Sequence, residues 1–573
     1  MKISVQNRNQ RANRFSLVLT LAAALCVSSG CATSRPPRDV SRSAAVNQKP
    51  AVLPATNAPE GNAAAFAHFA AGVTYELNDN DDRALKEFDE AAASDPSHEP
   101  LVLELAQRYL RNHQPDKAVA LLNRSADLPS ASSPVFSWLA RAQLQTGATN
   151  AALTSARKAV DKDPQSLDAY ESLMEGLLRG GQLTDASRVL ARAASSVRRE
   201  PPSLVGVADL YGGYLRSAPK DNDARERAVS LLDKAAAMQF ASPRLWERVA
   251  TLYARFGETR KAAGIYERLL GESSDSSSER EGLREQLAQI YLEADDKTNA
   301  LKQLQAIVRD DPTRFPNAWF ALGEISEQDE KYSDAVDDFQ NAIRAKPELE
   351  PAYYDLSLAL ANLHRTEEAM KILDQARNRF NNGFRFEFYS GLVERQAKDF
   401  PGAIRHFTAA ETIARATAPA LLDKNFYFEI GAACERNRQF TEADQYLQKA
   451  VDADPGFAEA LNYLGYMLAD RGEQLERARS LIERAVKLDP ANAAFLDSMG
   501  WVLFKSKQPA QALPWMVKAV AASPEPDATI LDHLGDVYRD LGQVDKAIDA
   551  WKRSLSVEPN DDIKRKLTVN SGS

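Results

Sequence analysis

The chain has 573 residues, 44% of them apolar and 26% charged, an ordinary balance for a folded globular protein. Its formal net charge of −9 argues against a general nucleic-acid binder, which would carry a basic surplus. The three cysteines, Cys26, Cys31 and Cys434, cannot build a disulfide framework or a paired-cysteine metal site.

The chain opens basic, with Lys2, Arg8, Arg11 and Arg14. Phe15 to Val27 is then almost wholly apolar, and is shorter than the roughly twenty residues a membrane-spanning helix needs. Its size and flanks are those of a secretory signal core. It closes as Ser28-Ser29-Gly30-Cys31, which resembles the lipobox of bacterial lipoproteins. Ser28 departs from that family's pattern, where Leu is commoner, and an ordinary secretory signal or an uncleaved anchor is the alternative. The resemblance implies that residues 1–30 are a signal peptide and that Cys31 is lipidated. That outweighs the hint of a reducing compartment in the scarce cysteines. Three acyl chains on one cysteine, as in that family, would anchor a protein stably where one would not. From Cys31 to residue 60 the chain is rich in Pro, Ala, Ser and Asn and has no helical period, so it reads as a disordered tether. Ala32 follows the cysteine. Enteric lipoproteins kept at the inner membrane carry Asp there, so the resemblance points to the outer membrane, facing the periplasm.

Beyond the tether the chain repeats. An alanine recurs at Ala84, Ala118, Ala152, Ala186, Ala228, Ala262, Ala300, Ala335, Ala369, Ala403, Ala443, Ala478, Ala512 and Ala547, mostly in steps of 34 or 35 residues. Twelve residues before it sits a small residue, as at Gly72, Ala106, Gly323, Gly391, Gly500 and Gly535. Sixteen before it is often a bulky one, such as Phe136, Tyr170, Trp246, Trp319 or Tyr353. Four after it come Phe88, Leu122, Phe339, Phe407 or Trp551, and twelve after it a proline such as Pro96, Pro164, Pro312, Pro455 or Pro490. The apolar and small positions lie three and four apart, hence on one helix face. Small residues admit a second helix closely, and each Asp-Pro breaks the chain before the next unit.

This pattern resembles the tetratricopeptide repeat (TPR) over nearly all of residues 65–560. It implies an all-α fold, a right-handed α-solenoid (superhelix) of about 14 helix-turn-helix hairpins, in which stacked neighbours share one core. Three long steps, of 42, 38 and 40 residues, hold Pro201-Pro202, the serine-rich stretch Glu272 to Glu279, and the segment Glu411 to Pro419. These read as hinges, partner-contacting loops or plain solvated loops. The serine-rich stretch divides an N-terminal array, residues 65–271, from a C-terminal array, residues 281–560. The polar tail, residues 561–573, reads as a cap on the last hairpin.

No catalytic pattern appears. The histidines are scattered, with no zinc or nucleophile-elbow spacing and no phosphate-binding loop. His68 falls at the bulky position of the first unit, which suggests a core role, and Cys434 at an inward helix position, which suggests a small buried apolar residue. The repeats use the whole folded length, so no enzyme activity, metal or cofactor is expected. A sugar transferase with a repeat arm is the remote enzymatic alternative.

In TPR proteins the first helices line the concave side, and the positions one and five after the bulky residue contact ligands. By that resemblance the candidate partner-binding residues are Phe320, Tyr354, Phe388, Phe428, Asn462, Tyr466, Asp497, Trp501 and Asp532. The alternative is that these aromatics pack against neighbouring helices. Exposed apolar patches mark interaction sites, and aromatics are frequent hot spots. The run from Ala460 to Phe504, with NYLGYMLAD and then LDSMGWVLF, is similar to a family of long TPR lipoproteins of Gram-negative bacteria. That family includes an outer-membrane adaptor of a carboxyl-terminal processing protease. The implied partners are periplasmic proteins or peptides, with the membrane engaged through the lipid and no nucleic acid. A component for polysaccharide or pilus export is the alternative function.

Overall fold

The computed structural model describes residues 60–570, apart from 79 and 274–276. The signal, Cys31 and most of the tether lie outside the described residues. Within them the chain forms twenty-nine α-helices and one short 3-10 turn, Pro419–Leu421, with no strand. From Glu60–Leu77 and Asp81–Ser94 to Ala528–Asp540 and Val544–Val557, thirteen pairs of consecutive helices pack as hairpins, the helices Ser277–Glu293 and Lys297–Asp310 lie where the two units divide, and a single helix Asp561–Asn570 follows the last hairpin. The described residues form two compact units, dividing between Gln303 and Leu304 inside the helix Lys297–Asp310. Each is an all-helical α-solenoid.

The recurrent alanine explains the regularity. All fourteen are at most 2% exposed, because each sits on the second helix of its hairpin, in the seam against neighbouring helices. The small residue of the first helix faces the bulky residue four after that alanine. A side chain added at Gly323 would put its Cβ 2.5 Å from the Phe339 ring, and one at Gly535 would overlap the Trp551 indole. Small against large at this crossing lets each hairpin close.

Two kinds of turn punctuate the helices. In every Asp-Pro break the carboxylate accepts the backbone N–H two residues on: Ser97 to Asp95 at 3.1 Å, Gln165 to Asp163 at 2.9 Å, Thr313 to Asp311 at 3.0 Å, Gly456 to Asp454 at 2.9 Å and Ala491 to Asp489 at 3.3 Å. The aspartate thus holds the turn while proline forbids the helix to run on. Inside the hairpins, the residue five before the alanine turns left-handed in eleven units, from His113 at φ 55° to Gly542 at φ 73°. Only Gly147, Gly181, Gly257 and Gly542 are glycines. The others, such as Lys398 at 65° and Arg438 at 60°, hold a conformation that costs an L-residue roughly 1–2 kcal/mol.

The long steps extend helices more than loops. Their extra residues go into Pro201–Ser217, Asn222–Ala237, Ser277–Glu293 and Phe400–Thr417. Pro201 and Pro202 occupy a helix's first turn, where a missing N–H costs nothing. Glu411, read as part of a connection, is instead a buried helical residue that accepts from the Tyr446 hydroxyl at 2.9 Å and pairs with Arg415.

In both units, close approaches between helices two apart join first helices, as for Glu99–Arg111 with Ser133–Gln145 and Ala458–Arg471 with Ala493–Lys505. The first-helix face of each stack is its tighter side. The core role expected of His68 is corrected. Its side chain is 40% exposed and pairs with Glu87 at 2.7 Å, and among the described residues no earlier hairpin lies against it. Cys434 is 1% exposed, and burial pushes its thiol up to about 11, so it packs as an inert apolar group. The last helix lays Ile563, 2% exposed, against Ala547 and Trp551.

Candidate functional site

The site is built on the first helices of residues 304–570. Each presents a stripe of residues toward the first helices of the neighbouring hairpins. Along that stripe sit all nine candidate residues, and the structure divides them by what the next hairpin lays over each.

Phe320 is half-buried and lies 5.6 Å from Phe339 of its own second helix. Tyr354 is 1% exposed. Tyr389 of the following hairpin stacks on it at 4.5 Å, and its hydroxyl donates to Glu350 at 2.9 Å. Burial, then the Glu350 carboxylate, pushes that hydroxyl far up. Phe388 is half-buried in an aromatic group with Phe384, Tyr389, Phe407 and Phe426, their ring centroids 5.6 to 5.9 Å from its own. Phe428 is buried between Phe457 and Tyr463.

Toward the C-terminus the stripe becomes polar. Asn462 is fully buried, and neither atom of its side-chain amide has a hydrogen-bond partner. Tyr466 stays half-buried, its hydroxyl pushed well up by burial and then by Asp470, Asp497 and Glu435. Asp497 is 1% exposed and Trp501 7%. The indole N–H of Trp501 donates to Asp470 at 3.1 Å, and the His533 ring lies flat on the indole at 3.8 Å. Asp532 accepts from Lys566 of the last helix at 2.7 Å. Burial raises its carboxyl, against the pull of that lysine.

The structure therefore leaves Phe320, Phe388, Tyr466 and Asp532 partly open, and covers Tyr354, Phe428, Asn462, Asp497 and Trp501. Phe384, Tyr389 and Leu358 add further half-buried surface. At the other end of the stripe, the Glu324 carboxyl is raised well above the usual range by burial and then by Asp355 and Glu327.

Sequence reasoning missed a ladder of polar contacts that ties the first helices from Glu350–Asn362 onward to one another and the last of them to Asp561–Asn570. Gln396 donates to Asn362 at 3.0 Å, and Arg395 pairs with Glu429 at 3.0 Å. The Tyr463 hydroxyl donates to Glu435 at 2.9 Å, and Trp501 to Asp470. His533 meets Asp497 at 2.9 Å, and Lys566 meets Asp532. The signal lay in polar residues roughly one repeat apart, some of them one turn beyond the ligand-contacting positions, as Asn362, Gln396 and Asp470 are, and some beside them, as Glu429, Tyr463 and His533 are. An exposed rung contributes about 0–1 kcal/mol and sets register more than stability, whereas the His533–Asp497 rung is buried.

The arrangement is suited to holding a chain, and its chemistry is that of contact surfaces. The His533–Asp497 pair is closed off, with the imidazole 5% exposed and one face taken by Trp501. Among the described residues, no group of three or more His, Cys, Asp or Glu is arranged to hold a metal ion, and no helix is long and apolar enough to cross a membrane.

The family model described as tetratricopeptide repeat matches residues 270–558, and a second model of the same description matches residues 103–166. No curated protein matches the chain. Among solved structures, the APC/C heterotetramer Cut9–Hcn1 is similar at 14% identity and a TM-score of 0.37, over 84% of this chain and 91% of that one. Yeast Tom70 is similar at 16% identity and 0.35, over 82% and 94%. YrrB, described as a TPR protein with an unusual peptide-binding site, is similar at 23% identity and 0.27, over 33% and 95%. None of the three superposes closely enough to carry a functional reading.

Proposed function

The chain belongs to the tetratricopeptide-repeat family, and from that premise we propose that it is a lipid-anchored scaffold of the outer membrane, facing the periplasm, that delivers bound proteins or peptides to a periplasmic protease. Proteins of this family generally serve as protein–protein interaction scaffolds, and their fold is typically non-catalytic. The outer-membrane address rests on the lipobox-like run before Cys31 and on Ala32. Delivery to a protease rests on the NYLGYMLAD and LDSMGWVLF segments.

One observation carries the binding face: Phe320, Phe388 and Tyr466 stay partly open on the tighter side of their stack, beside neighbours that are sealed. Rigid aromatics backed by a packed wall are what a docking peptide finds most favourable. Sealed residues such as Trp501 act through packing, so substituting them would mix folding with binding.

The test is a crosslinking pull-down from membranes, comparing the native chain with Phe388→Ala plus Tyr466→Ala. The double variant is expected to keep its helicity and lose at least one partner recovered by the native chain. Recovery of every partner by the double variant would defeat the assignment of this face.

A further inference from the structure

His533 stands out as the one histidine on the first-helix face sealed at its ring plane and at its nitrogen. The imidazole lies parallel to the Trp501 indole, 3.8 Å between centroids and 15° between planes. Its Nδ1 is 2.9 Å from Asp497 Oδ2 and 3.1 Å from Oδ1. A carboxylate only accepts, so Nδ1 carries a proton. His533 is 5% exposed and Asp497 1%.

The charged groups around the ring come from four helices. Asp497 faces it from Ala493–Lys505, and Asp532 and Asp536 from its own helix, Ala528–Asp540. Tyr466, on Ala458–Arg471, has its ring 6.1 Å away, and Asp470 of that helix holds the Trp501 N–H. Lys566, on Asp561–Asn570, donates to both Asp532 and Asp536, at 2.7 and 2.8 Å. Lys505 lies 5.0 Å from the Trp501 ring centroid. Lys566 thus pairs with Asp532 and Asp536, while His533 is the group that meets Asp497 at hydrogen-bond distance.

We propose that His533 is a proton-controlled latch between the last two hairpins: protonated, it is clamped by Asp497 and Trp501 and keeps their first-helix face rigid, and deprotonated it lets that face loosen. When the imidazolium gives up one proton to solvent, the neutral ring keeps its Nδ1–H. Asp497 is then a buried carboxylate without a counter-charge, which is strongly unfavourable. The attraction of a cation to the indole face is lost at the same step.

Burial alone would lower the imidazole's pKa, but Asp497, and after it Asp532 and Asp536, outweigh burial and raise it. A raised native value contributes stability fully present below the unfolded value of about 6.5, and lost as pH rises through the native value. The latch is therefore closed on the acid side and open on the alkaline side. It does not depend on the scaffold reading, since it concerns the hairpins themselves.

The test uses the full chain labelled with ¹⁵N at histidine, with His533→Gln to assign the resonance. The His533 ring is expected to titrate above the ordinary histidine range, and Asp497→Asn to bring it down. Amide exchange of residues 528–540, corrected for the intrinsic effect of pH, supplies the second reading. Protection should fall as pH rises from the unfolded value of about 6.5 through the native value, by about tenfold for each unit that the pKa is raised. His533→Gln and Asp497→Asn should both flatten that fall. A His533 ring titrating at or below the ordinary value, or an equal loss of protection in native chain and variants, would overturn the proposal.

Discussion

Replacing Cys31 with Ser should move the protein from the membrane fraction to the soluble one and abolish incorporation of labelled palmitate. The expected effect is close to complete, because the lipid is the only anchor the account supplies. Each long acyl chain inserted in a bilayer contributes on the order of ten kcal/mol, and several chains on one residue make release negligible. Palmitate incorporation by Cys31→Ser equal to that of the native chain would refute the lipobox reading and with it the proposed address. The repeat fold and its binding face would be untouched, since both rest on residues beyond the tether.

Trp551→Ala should be the most damaging single substitution in the C-terminal hairpins. The indole is fully buried, against Gly535 on one side and beside Ala547 and Ile563. Removing a buried tryptophan costs about 3–5 kcal/mol, part of it for the cavity left behind. In a stacked array that loss falls on the hairpin and its nearest neighbours. Chemical denaturation followed by circular dichroism should therefore show an early phase absent from the native chain. A superimposable unfolding curve would mean that the last hairpin is not held by this contact. Gly535→Leu should act in the same direction by overpacking, at about 1–3 kcal/mol, since even a Cβ there would overlap the fully buried Trp551 indole.

Much of the hairpin array was legible because the repeat constrains several positions at once. Alanine, the small residue and the bulky residue are three views of one helix crossing, and each recurs where the others require it. Asp-Pro was legible as a break, though the carboxylate's grip on the N–H two residues on was not foreseen. The left-handed turn stayed hidden because His113, Glu330, Lys398 and Arg438 occupy it in place of glycine. The long steps misled because extra residues were read as loops, when alanine-rich sequence such as that before Thr417 simply adds helical turns.

The candidate site was legible as a stripe, but its exposure was not. Whether Tyr354 or Trp501 faces solvent depends on the residue that the following hairpins lay over it, Tyr389 in one case and His533 in the other. Those covering residues sit one place beyond the register positions followed along the sequence. A one-dimensional pattern marks which face a side chain leaves from, while its burial is decided by a partner one repeat away. Asn462 is the sharpest example: it falls at a ligand-contacting position of the family pattern, yet it is fully buried with its amide unpaired.

The most direct test of the central claim is a hydrogen-exchange footprint of a captured partner on the full chain. Protection concentrated on the first helices of residues 304–570, around Phe320, Phe388 and Tyr466, is the result expected of a docking face built from these hairpins. Protection confined to the second helices, or to residues 60–303, would contradict it.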